Sequence, residues 1–223
     1  MGHSQANKAQ SRERILTAAA RQIREGGLHS VSIAELMREA ELTHGGFYGH
    51  FPSRSALIAA ALERALFDGE AASIAATSRK GPRTLKSIVD SYLSPAHRDE
   101  AGTGCAIASL AADVGREEPA VREIMMRRLE LYLGDISRLI GDVPEADKIA
   151  TSIWCTMVGA IMLARVFKDD ERSDVILRMA RQAILEQEKS ATVTKVRGKA
   201  APRPRKTTRR TAGARGGKPP RRP

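Results

Sequence analysis

The stretch that most constrains this chain is 32–51, SIAELMREAELTHGGFYGHF. Ile33, Leu36, Met37 and Ala40 recur at i, i+3, i+4 and i+7, which lays one apolar stripe along a helix. Ser32 followed by Glu35 is a capping-box pair that marks where that helix starts. Glu41 and Leu42 make a turn, and the Thr43 hydroxyl is placed to cap a second helix. On the second helix Phe47 and Phe51 share the inward face, and Gly45, Gly46 and Gly49 share the opposite one. Each glycine costs a helix about 1 kcal/mol relative to alanine, so three in one short segment need a reason. A face without side chains lets the backbone approach another surface closely, and the major groove of DNA is such a surface. The alternative is a glycine-weakened core helix. Thr43, His44 and Tyr48 remain free for bases or phosphates, with His50 and Arg54 just beyond.

With these residues the segment resembles the TetR family of bacterial repressors. Leu42-Thr43, Phe47-Tyr48, His50-Phe51 and Ser53-Arg54 fall where that family has its recognition helix and the start of the helix after it, and the match is tight over 12–66. Arg54 stands where the family usually has lysine, which keeps a phosphate-seeking charge. The resemblance implies an all-α fold with a three-helix head over 11–52 and a larger helical regulatory and dimerisation domain over 53–189. It implies DNA contacts from Ser32, Thr43, His44, Gly45, Gly46, Tyr48, His50 and Arg54. It also implies a homodimer joined by its last two helices as a four-helix bundle, reading a palindromic double-stranded operator, and a small-molecule inducer bound within the second domain.

Charge is distributed unevenly. The chain carries 37 Lys and Arg against 26 Asp and Glu, a net +11. Twelve of those cations lie in 190–223, where no acid occurs, so the remainder is nearly neutral. That Ala/Pro/Gly/Arg/Lys stretch is too polar to bury a core and reads as a disordered basic tail. Residues 1–10 read as a flexible arm. The tail also admits a second function class, an architectural and largely non-specific DNA-binding protein.

Between arm and tail, helical periodicity is found over 11–25, 53–76, 83–93, 105–114, 119–140, 145–167 and 173–188, with a polar loop over 95–104 and no β alternation. At 42% hydrophobic but 4% aromatic, the core must be built from aliphatic residues and methionine. The most apolar run, 149–167, is interrupted by Thr151, Ser152, Thr156 and Arg165 and falls short of the ~20 residues a bilayer needs. It reads as a buried helix, in a protein without membrane contact. The polar N-terminus and the two cysteines, read as free thiols, point to the cytoplasm.

The five histidines show no metal-ligand spacing with Cys105 or Cys155, and no nucleophile elbow or phosphate loop stands in context, so neither enzyme chemistry nor a cofactor is expected. Gly104-Cys105 at a helix start resembles a feature of one branch of the TetR family, in which some members sense electrophiles or oxidants through a cysteine. A helix N-terminus favours a thiolate, whereas Asp113, Glu117 and Glu118 supply the wrong charge. Cys155, inside the most apolar helix, reads as core. Phe67, Cys105, Met125, Tyr132, Trp154, Met157 and Met162 are the candidates for a ligand pocket, and the lack of an evident buried charge favours an uncharged ligand.

Overall fold

The computed structural model describes residues 2–78 and 81–200, with the side chains of 5–78 and 81–191. Among the described residues all regular structure is helical. The elements are α1 (Gly2–Gly26), a 3-10 turn (Leu28–Ser30), α2 (Ile33–Glu39), a 3-10 segment (His44–Gly49), α3 (Arg54–Ser78), α4 (Leu85–Tyr92), α5 (Pro95–Asp99), α6 (Ala106–Val114), α7 (Pro119–Ile140), α8 (Ala146–Val166) and α9 (Glu171–Ala200).

Residues 2–10, expected as a flexible arm, are helical. They extend α1 by more than two turns, because Ala, Gln and Lys are good helix formers and no glycine or proline intervenes before Gly26. The start of α2 is half of the expected capping box: Ser32 Oγ accepts from the Glu35 amide at 3.3 Å. Its end is a Schellman closure, with Leu42 N donating to Met37 O at 2.8 Å and Glu41 N to Arg38 O at 3.1 Å. Glu41 sits in the left-handed region at φ 59. The next segment winds as a 3-10 helix, and Thr43 precedes it without capping it through its hydroxyl. Ser53 does cap α3, accepting from Ala56 N at 3.1 Å.

The polar loop expected over 95–104 contains α5, held by Ser94 at its N-cap and Pro95 in its first turn. At the other end of the chain, α9 runs through Ala200, so the first part of the basic tail is helical, while 201–223 lie outside the described residues. By length and composition α8 is apolar enough to cross a membrane. Here one of its faces is buried, with Ile153, Met157, Ile161 and Ala164 at or near zero exposure, and α8 packs against α7 and α9.

A single apolar cluster runs through the molecule. It begins with Ile15, Ile23, Met37, Phe47 and Phe51 around the first helices, follows Leu57, Leu62 and Leu66 along α3, and ends among Leu110, Met157 and Ile161. Burial of this size, at about 25 cal/mol per Å² of apolar surface, is the main driving term for the fold.

Candidate nucleic-acid interface and ligand cavity

The 3-10 segment presents what the glycine pattern requires. Phe47 is buried and stacks on Phe51, with ring centroids 5.9 Å apart, which anchors the segment from below. Tyr48 stands on the outer side, 70% exposed and edge-on to Phe47, and Thr43 and His44 are also exposed. A Cβ built on Gly45 or Gly49 would meet nothing within 4 Å, and one on Gly46 would make only ordinary contacts at 3.6 Å. None of the three has positive φ. Internal packing and backbone conformation therefore do not demand these glycines.

Arg54 is partly engaged, its Nη2 donating to the carbonyls of His29 at 3.0 Å and Val31 at 3.3 Å. It ties the segment 29–31 to the start of α3. His50 is half-buried, and its Nδ1 has no partner among the described residues. Burial, then the nearby cations Lys8 and Arg12, hold its pKa below the usual histidine value. Arg12 also lies over the Phe51 ring at 4.9 Å. These two cations were not among the sequence candidates. Arg12 lies within the helix expected over 11–25, and the extension of α1 adds Lys8 beside the same segment; the absence of proline before Gly26 was the signal for that extension.

In the second domain a cavity of about 250 Å³ opens between α3, α4, α7, α8 and the loop leading to α6. Three of the expected residues line it: Cys105, Tyr132 and Trp154. The other four do not. Met157 is fully buried and Met125 nearly so, both in the core, while Phe67 and Met162 are on the surface. The cavity is walled instead by the rings of Tyr92, Tyr132 and Trp154 among small residues such as Gly69, Ala72 and Ala76. Tyr132 and Trp154 have centroids 5.1 Å apart, Tyr92 and Trp154 5.7 Å. The Tyr132 hydroxyl donates to Leu66 O at 3.2 Å.

His97 organises this wall. Its Nε2 accepts the Cys105 amide at 3.0 Å, so Nδ1 carries the proton and donates to Tyr92 O at 2.6 Å. Desolvation keeps the ring below its ordinary pKa against that backbone bond, and Arg165 adds to the effect. The N-terminal amide of α6 is thus capped by a neutral imidazole rather than by a side chain of its own. Gly104 is required here, since a Cβ would come within 2.8 Å of His97. Cys155, expected in the core, is exposed: it lies on the outer stripe of α8.

Residues 15–61 match the bacterial regulatory proteins of the tetR family, and residues 81–180 match the tetracyclin repressor-like C-terminal domain. The chain belongs to the TetR family. An uncharacterized HTH-type transcriptional regulator of Mycobacterium tuberculosis is 29% identical over 185 residues, covering 78% of this chain and 94% of that one. Among solved structures, a TetR-family regulator from Cytophaga hutchinsonii superposes with a TM-score of 0.68 at 21% identity, over 81% of this chain and 96% of the other. Escherichia coli NemR in its reduced form gives 0.64 at 21% identity, over 78% and 94%.

In this TetR-family chain the DNA-binding head and the cavity meet at one loop. Arg24 of α1, 6% exposed, donates from Nε to Gly102 O at 2.6 Å and from Nη1 to Ala65 O at 3.1 Å. Gly102 belongs to the same loop as Thr103, Gly104 and Cys105, all of which line the cavity. A second contact runs from the Leu28 amide to Asp113 Oδ2 at 3.1 Å, binding the 28–30 turn to α6. Asp113, counted above as unfavourable charge near Cys105, is thus committed to the head and to Arg116, 2.7 Å away.

Proposed function

We propose that this TetR-family regulator is a dimeric repressor, released from a palindromic operator when its cavity is occupied or Cys105 is modified. The observation that carries the reading is the Arg24–Gly102 bond, which ties a helix of the DNA-binding head to the loop forming the cavity wall. A ligand or adduct that displaces this loop acts directly on α1. The heads then leave the spacing that fits two half-sites, and DNA affinity falls by the difference in binding between the two states.

Dimerisation is supported by an apolar stripe on the exposed side of the last two helices. Cys155, Gly159, Met162, Leu163 and Val166 follow one another on α8 at helical spacing, beside Val175 and Met179 on α9. Val166 is 77% exposed in the single chain. A Cβ on Gly159 would meet nothing, so a second α8 can approach closely there. The thiol branch of the reading is supported by the place of Cys105 on the cavity wall, in the loop whose Gly102 carbonyl holds Arg24. The function is a binding function and requires no catalytic chemistry, and the chain acts in the cytoplasm.

The test begins with operator selection from random duplexes, followed by alkylation of the purified protein with N-ethylmaleimide. Release of operator by alkylation is expected in wild type and in Cys155→Ser, and should be lost in Cys105→Ser. Equal release in Cys105→Ser would reduce that thiol to packing. Val166→Asp should yield monomers by light scattering with weakened palindrome binding. A Val166→Asp protein that remains dimeric would place the interface elsewhere.

A further inference from the structure

Two aromatic donors on the cavity wall are left over. The Tyr92 hydroxyl and the Trp154 indole N–H are buried without a partner among the described residues, and both side chains are only 9% exposed. Both residues line the same cavity. The Nε of Arg83, also on the wall, is a third donor without a partner. Buried donors are normally satisfied, and leaving one unpaired is costly. The Cys105 sulfur interacts with the Tyr92 hydroxyl, and sulfur is a weak acceptor.

The charges around them narrow the chemistry. Glu70, Asp135 and Glu100 are the acids on the wall, against one lining cation, Arg83. Glu70 is paired with Arg128, and Asp135 with Arg83 at 3.4 Å. His97 is neutral in its hydrogen-bonded tautomer. Asp135 is paired with Arg138 as well, so an anion would find the arginines around this wall already engaged by acids. A cation would leave the donors unpaired, and a hydrocarbon would bury them without compensation. The rings of Tyr92, Trp154 and Tyr132, tilted against one another, form an aromatic wall that favours a flat partner. At about 250 Å³ the space exceeds the 150 Å³ of an engineered cavity that holds benzene.

We propose that this cavity binds an uncharged, flat aromatic molecule of about two fused rings that carries carbonyl or ether oxygens, with Tyr92 O–H and Trp154 N–H donating to those oxygens. This rests on the reading of the cavity as the inducer site and names the class of inducer.

The test uses the full chain and three probes of similar size: chromone, naphthalene and 1-naphthoate. Calorimetry should rank chromone above both others. Tyr92→Phe keeps the ring and removes the donor, so it should weaken chromone about tenfold and leave naphthalene unchanged. Trp154→Phe should weaken chromone again. The proposal is overturned if Tyr92→Phe binds chromone as wild type does, if naphthalene or naphthoate binds more tightly than chromone, or if none of the three binds. Operator release, followed in parallel, separates the two readings. Tyr92-dependent chromone binding that leaves the operator occupied upholds the ligand class and sinks the inducer reading. Release by naphthoate with no binding of chromone does the reverse.

Discussion

Gly49 can be substituted without touching its neighbours, which makes it a clean probe of what the glycine face is for. With no atom within 4 Å of a built Cβ and no positive φ, Gly49→Ala should keep or raise thermal stability, by up to about 1 kcal/mol through backbone entropy. Operator affinity should fall at least tenfold in an anisotropy titration. A stable Gly49→Ala protein with unchanged affinity would show that no surface approaches this face. His97 offers a second residue-scale prediction. Its folded pKa is depressed by burial, so the fold favours the neutral ring. That stability is present above the unfolded value of about 6.5 and is lost as pH falls below it, because the unfolded chain then takes up protons the folded one refuses. Urea unfolding should show stability dropping from pH 7.5 towards pH 5. His97→Gln should make that slope shallower, with His50, also depressed, supplying part of the remainder.

Among the elements, those with strong local signals were legible in the sequence, and those defined by long-range contacts were not. The stripe of Ile33, Leu36, Met37 and Ala40 marked α2, and the bare face at Gly45 and Gly49 followed from glycine alone. Pro95 after Ser94 carried a start signal for α5, but five residues leave too little periodicity to set against the polar composition of 95–104. The cavity was the least legible part. Apolar type pointed to Met125 and Met157, yet side chains of that kind fill the core. A cavity persists where polar tips hold the walls apart, as Tyr132 does on Leu66 O and His97 on Tyr92 O. No spacing rule connects Arg24 with Gly102, 78 residues away. That contact yields the prediction proper to this scale. Arg24→Ala leaves the buried Gly102 carbonyl unpaired, so a loss of about 1–3 kcal/mol in stability is expected, and Arg24→Lys should lose less. In both variants, alkylation of Cys105 should change operator affinity by a smaller factor than in wild type. Full coupling in a folded Arg24→Ala protein would remove this bond from the switch.

For the whole molecule, the division of charge matters most. The body is nearly neutral, so the basic C-terminal stretch is expected to supply most of the long-range attraction to DNA. Nine Lys and Arg lie in 201–223. If about half of them neutralise phosphates, deleting 201–223 should flatten the log–log salt dependence of operator binding by about 4 units. The preferred sequence should be unchanged, since such a segment reads little of the base edges. An altered sequence preference would instead favour the architectural reading, in which the tail and not the head directs binding.

Because α1 is one unbroken helix from Gly2 to Gly26, Lys8 beside His50 and Arg24 at the cavity loop lie on a single rod, about 24 Å apart at 1.5 Å per residue. The rod is buried on one face from Ile15 to Arg24 and packs against α3, so its cavity half is gripped while residues 5–10 project beyond the core. A displacement of the cavity loop that tilts the gripped half is carried to the Lys8 end, enlarged in proportion to the length that projects. Two protomers swinging together would add their errors of spacing at the operator, so a small strain at each cavity becomes a misfit counted twice.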